Sequence, residues 1–170
     1  LILGLGGQPA VQRLDDVLSS ASETDRHPIR LGLQIGIAVE EHAAVLGTGD
    51  FLIRSVVGTD RSSGGIAIAG MVTVGETAQF HVRDPGVATN ELAALLQPLR
   101  AESALLFTCN GRGKRFFSRP SHDATLFCDG LDTTVVGGMF CAGEMGPVGA
   151  SHHLHGFTAC GLLFGASSAQ

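Results

Sequence analysis

The residues with the most chemistry in this chain lie between Leu105 and Phe127, in LLFTCNGRGKRFFSRPSHDATLF. Cys109, Asn110, Gly111, Arg112 and Gly113 follow an apolar run that reads as a strand. Two glycines around one arginine let backbone N–H groups turn inward as an anion-binding nest. Arg112 can add a two-pronged fork for a carboxylate or phosphate. The plainer reading is a tight turn with a solvated arginine. His122 and Asp123 come next: the aspartate can cap the following helix, and the histidine can aim a polar group at the CNGRG turn.

Two further groups stand nearer the C-terminus. Glu144 sits among glycines in GMFCAGEMGPVG, where it can pair with Arg112 or receive a cationic ligand group. His155 belongs to SHHLHGFT with His152 and His153. That spacing fits a zinc site poorly, so neither a metal nor a cofactor is expected. Cys109 with His122 or His155 can be drawn as nucleophile and base. The commoner fate of such a cysteine is to be packed and inert. GxSxG, the hydrolase elbow, is absent, and the enzyme reading is the weakest.

The elements that must position these residues follow from periodicity. Leu1–Gly6 reads as a short strand and Pro9–Ser20 as a helix, with Val11, Leu14, Val17 and Leu18 at helical spacing. SSASETDRHP reads as a polar loop. Ile29–Val39, FLIRSVVG, IAIAG and TAQFHVRD read as four strands of an antiparallel meander, separated by turn clusters. Asp84-Pro85-Gly86 opens a helix bearing Leu92, Leu95, Leu96 and Leu99. Strand Ser103–Thr108, helix Asp123–Leu131, strand Thr134–Cys141 and strand Gly156–Phe164 follow, with AGEMGPVGASHHLH as a loop between the last two. The pattern predicts an α+β fold, a mostly antiparallel mixed sheet with helices packed on it.

Composition narrows the function. In 170 residues, 44% are hydrophobic and 16% charged, enough apolar material for one domain with a sizeable core. A formal net charge of -5 argues against an electrostatic grip on nucleic acid or an anionic membrane. The basic group Arg112, Lys114, Arg115 and Arg119 is the local exception. No apolar run approaches the ~18 residues of a membrane span. The four cysteines form no CxxC pair, which suits reduced thiols in the cytoplasm.

LLFTCNGRG, HDATLF, VVGGMFCAGEMGPVG and LHGFTACGLLF, in this order and spacing, resemble the C-terminal half of the FIST domain (F-box and intracellular signal transduction). GDFLIRSVVGTD and VTVGETAQFHVRD resemble the same half. GGQPAVQRLDDVL resembles the junction with the N-terminal half. The resemblance runs from about Gly7 to Phe164. It implies a single C-terminal domain over residues 1–170, with 1–20 as the junction and the N-terminal half as a missing partner. It also implies a bacterial sensory domain for small ligands, with amino acids suggested, coupled to a signalling partner that the sequence does not name. Nothing resembles the F-box of the eukaryotic members, and His152 and His153 fall outside the family pattern.

The expectation is therefore a rim of strand ends at which Cys109–Gly113, His122, Asp123, Glu144 and His155 converge. Arg112 and the turn amides would hold an anion, and Glu144 or Asp123 a cation. An amino acid carries both. A protein-docking module and a Cys-dependent or metal enzyme are the alternatives.

Overall fold

The computed structural model describes residues 1–47, 49–165 and 167–168, the last two by their backbone alone. The chain forms two compact units, Leu1–Arg83 and Asp84–Gln170. The fold is α+β, with mostly antiparallel pairing.

In the first unit β1 (Gly4–Leu5) and β2 (Gln8–Pro9) make a small hairpin. It turns on Gly6 and Gly7, at φ 57° and 77°, a region open to glycine without strain. Helix α1 (Ala10–Ser20) follows and buries Ala10, Val11 and Leu14. β3 (Gln34–Ala38), β4 (Phe51–Asp60), β5 (Gly65–Ile68) and β6 (Ala78–His81) form one antiparallel sheet in the order β5-β4-β3-β6. The predicted meander therefore holds for three strands, and β6 returns to pair with β3 instead of β5. β3 becomes a central strand, and all five of its residues are buried. Gly36 is needed there, because a Cβ would stand 2.6 Å from His81 Nε2 and 2.9 Å from Phe51 Cβ. Those two rings meet edge to face above it. Ile2, Ile35, Ile37, Ile66 and Ile68 close the core against α1.

The segment read as a polar loop is instead a helix, α2 (Glu23–Leu31), which also takes the first residues assigned to the next strand. Its signals are local. Ser22 Oγ accepts from the Asp25 amide at 3.2 Å, Glu23 and Asp25 sit in the first turn, and Arg30 sits in the last. Pro28 and the lack of any buried residue hide the helical period.

The second unit opens with α3 (Pro85–Leu96), capped by Asp84, whose carboxylate accepts from the Val87 amide at 2.8 Å. Short strand β7 (Leu99–Arg100) leads to β8 (Ser103–Cys109). A 3-10 turn (Asn110–Arg112), α4 (Lys114–Phe117), α5 (His122–Leu131) and β9 (Val136–Cys141) follow. β8 and β9 are parallel, with Cys109 opposite Cys141, so β8–α5–β9 is a crossover unit within a mostly antiparallel fold. β12 (Ala159–Phe164) pairs antiparallel on the other side of β8. The expected His-rich loop is a hairpin, β10 (Glu144–Val148) with β11 (Ser151–His155), turning at Gly149. Its glycines and histidines hid the strand period. β13 (Ser167–Ser168) pairs with β7.

Alternate residues of β8, Ala104 and Leu106, pack with Phe127 and Leu131 of α5 and with Leu92 and Leu96 of α3. The helices touch closely at Gly130, where a Cβ would stand 2.8 Å from Leu96 Cβ. This layer fixes α5 on one face of the sheet, so that its first turn meets the ends of β8 and β9.

A candidate ligand cleft at the ends of two parallel strands

A cleft of about 290 Å³ runs along β9 and the C-terminal half of β8 to the first turn of α5. Leu106, Ala124 and Val136 give it an apolar floor, Gly137–Phe140 form one wall, and Thr108, Arg112, Gly113, Arg119, Ser121, His122 and Asp123 supply its polar side. Open sheets hold ligands beyond the C-terminal ends of parallel strands because strand ends and helix amides converge there.

Arg112 is buried at the edge of this cleft, and its fork is engaged within the fold. Nε donates to Asp123 Oδ2 at 2.8 Å and Nη2 to Oδ1 at 2.9 Å. Nη1 reaches the Phe157 carbonyl at 3.5 Å. Thr108 Oγ1 donates to Asp123 Oδ2 at 2.6 Å, and His122 Nδ1 lies 3.0 Å from Oδ1. A carboxylate only accepts, so His122 donates through Nδ1, and its Nε2 faces the Thr89 hydroxyl at 2.9 Å. Asp123 thus has four donors and no lone pair left for a ligand ammonium. Phe117 stacks on His122 at 3.5 Å between ring centres, and the Arg112 guanidinium lies 5.1 Å from the same phenyl ring.

Burial alone would raise the Asp123 carboxyl pKa. The bonds from Arg112, Thr108 and His122 and the Arg112 charge outweigh it, and the value lies below the ordinary one. A carboxyl more acidic folded than unfolded stabilises the fold fully above about pH 4 and loses that contribution as pH falls through the lower folded value. In urea titrations between about pH 5 and 2, the parent protein should therefore lose stability more steeply than Asp123→Asn. Parallel curves would contradict this.

Asp123 is not the helix cap that its position in the sequence allowed. The cap position belongs to Ser121, which has φ 53° and makes no side-chain capping bond. The amides of the first turn of α5 therefore lack a side-chain cap beside the cleft. Arg119 lines the same rim, is exposed, and makes no ion pair among the described residues.

The other sequence candidates lie apart from this cleft. Cys109 is buried, and its sulfur accepts the Gly111 amide at 3.4 Å. Asn110 and Gly111 form the 3-10 turn and do not line the cleft. Glu144 is 2% exposed, and its Oε2 accepts from Thr158 Oγ1 at 3.0 Å and from the Thr158 amide at 3.4 Å. His155, opposite Glu144 in the hairpin, lies with Nε2 2.9 Å from the Gly146 carbonyl. Of the sequence candidates, the cleft gathers Arg112, Gly113, His122 and Asp123. Among the described residues no group of three or more His, Cys, Asp or Glu is placed to hold a metal ion. No helix among them is long and apolar enough to cross a membrane.

The β9 wall was missed in the sequence. A signal was present: the strand–helix–strand order of LLFTC, HDATLFCDGL and VVGGMFC marks a crossover pair, and such a pair places a site at its strand ends.

A family model described as the FIST C domain, a family of signal-transduction sensory domains, matches residues 10–147. An uncharacterized protein of Mycobacterium bovis is 47% identical over 96% of this chain, and the match takes in 44% of that protein. Two uncharacterized proteins of Mycobacterium tuberculosis are 47% and 44% identical with the same coverage. The chain thus spans less than half the length of these curated relatives. No solved structure matches.

Proposed function

The chain belongs to the FIST C domain family, and from that premise we propose that it is a cytoplasmic small-ligand sensory domain whose ligand sits in the β8–β9 cleft. The observation that carries this reading is a cleft of about 290 Å³ between the parallel pair β8–β9 and the first turn of α5, which has no side-chain cap, with Arg119 at its rim making no ion pair among the described residues. Its volume approaches the lower end of small-molecule sites, roughly 300–1,000 Å³. The buried Arg112–Asp123 pair holds the 3-10 turn against α5, so the donors are set before a ligand arrives.

The ligand class is a small carboxylate compound, with amino acids as the first candidates. Arg119 and the α5 amides suit a carboxylate. The apolar floor and the β9 wall suit a short hydrocarbon body. The occupied cleft would be read by a signalling partner through the loop at Arg119.

A thermal-shift panel of amino acids and their des-amino acids tests this. At a hundredfold excess over Kd a specific ligand adds about 2.7 kcal/mol. At about 2–4 °C per kcal/mol that raises Tm by roughly 5–10 °C. Arg119→Ala should abolish the shift and leave the ligand-free Tm unchanged. If no compound shifts the full-length protein, the reading is wrong.

A further inference from the structure

The sheet β12-β8-β9 has a second face, opposite α5. Gly161 of β12 points at Phe127 of α5, where a Cβ would come within 2.5 Å of the ring. Cys160, Leu162 and Phe164 therefore point the other way. Leu105 shares that face, since its Cδ2 lies 3.6 Å from where a Gly137 Cβ would stand. The hairpin β10–β11 covers the Cys160 end, bringing Gly146 against its sulfur. Beyond it the face is apolar, carries no charge and is open. Leu105 is 37% exposed, Phe164 46%, Leu162 54% and Met139, at the β9 edge, 63%.

All-parallel sheets occur almost only with both faces covered, whereas antiparallel sheets commonly leave one polar face to water; this sheet joins a parallel pair, β8–β9, to an antiparallel one, β12–β8, and its open face is not polar. Here α5 covers one face of the β8–β9 pair, and the other shows side chains that alternate as a buried face does. Contiguous exposed apolar side chains are the kind of surface at which soluble proteins meet partners.

We propose that this face docks the part of the full-length gene product that lies outside these 170 residues, through an apolar surface of that part. The mycobacterial relatives carry more than half their length outside the matched stretch. A free dimer needs about 800 Å² and roughly 20–30 residues from each partner, far more than these few side chains provide. A tethered segment needs less, because covalent connection supplies an effective concentration on the order of millimolar. The absence of charge on the face disfavours nucleic acid and lipid headgroups, which require cations. Leu105, Leu162 and Phe164 do not line the ligand cleft, whereas Met139 borders both surfaces.

Photo-crosslinking in the full-length protein tests it. A benzophenone side chain is placed at Leu162 and, separately, at Met139 in case the first variant fails to fold. Met145, 80% exposed on the hairpin, is the control position. The expected result is an intrachain crosslink from Leu162 or Met139 to peptides outside the 170 residues, several-fold stronger than from Met145. Crosslinks only to residues 1–83, crosslinks between two copies, or no crosslink in folded protein would each overturn the proposal.

Discussion

Asp123→Ala should lower the melting temperature by roughly 6–20 °C, from a loss of about 3–5 kcal/mol at about 2–4 °C per kcal/mol. Arg112 and Asp123 are 8% and 4% exposed. Truncating the aspartate strands a guanidinium away from water, beside the Thr108 and His122 donors that lose their acceptor as well. The attraction of the pair is not the source of this effect. Taking both charges out of water already cost several kcal/mol, so the intact pair is close to break-even. The double change Arg112→Met with Asp123→Leu should therefore recover much of the loss, because neither charge is then stranded. Thermal unfolding of the three proteins reads this directly. A double variant as unstable as Asp123→Ala would mean that the pair itself, more than its desolvation, holds the turn.

Gly138→Ala should be at least as damaging. Gly138 lies opposite Leu106 in the parallel ladder, and a Cβ would collide with the Leu106 carbonyl oxygen and stand 2.7 Å from its carbon. The obstacle is backbone in the centre of the sheet, so no side-chain rotation relieves it. β9 must leave β8, taking with it the β9 wall of the cleft and the packing of Val136. A loss above about 4 kcal/mol, or failure to yield soluble folded protein, is expected. Gly137→Ala is the matched control. Its Cβ would meet only Leu105 Cδ2 at 3.6 Å, an ordinary contact. Circular dichroism and solubility that rank the two variants equally would contradict the parallel pairing.

Much of the fold could be read in the sequence where side-chain periods are clean. β8, α5, β9 and β12 alternate or repeat with strong apolar residues, and Asp84-Pro85 marks the start of α3 by its cap. α2 was hidden because it buries nothing and contains Pro28, so its caps are its only signal. The β10–β11 hairpin was hidden because four of its ten paired residues are glycine or histidine, which carry little strand preference. The direction of β9 is a long-range property. A helix between two strands permits parallel pairing, yet the surrounding antiparallel order disguised it.

The site was legible in part for a similar reason. The importance of Arg112 follows from its place after a buried strand between glycines. Its partner does not, because Asp123 lies eleven positions on and equally well reads as a cap. Glu144 was placed with Arg112 on the ground that both follow strands. β10 instead folds back with β11, and Glu144 is held by Thr158. Parallel β9 puts its glycines, which show no chemistry in the sequence, beside the arginine.

Occupancy of the β8–β9 cleft by a small carboxylate is tested most directly by amide chemical shifts on the ¹⁵N-labelled full-length protein. The protein is titrated with the amino acids and then with their des-amino acids. Saturable shifts are expected at His122, Asp123 and Ala124 and along Gly137–Phe140, retained with a des-amino acid and lost in Arg119→Ala. Shifts confined to the hairpin around Glu144 and His155, or an unchanged spectrum throughout the titration, would contradict it.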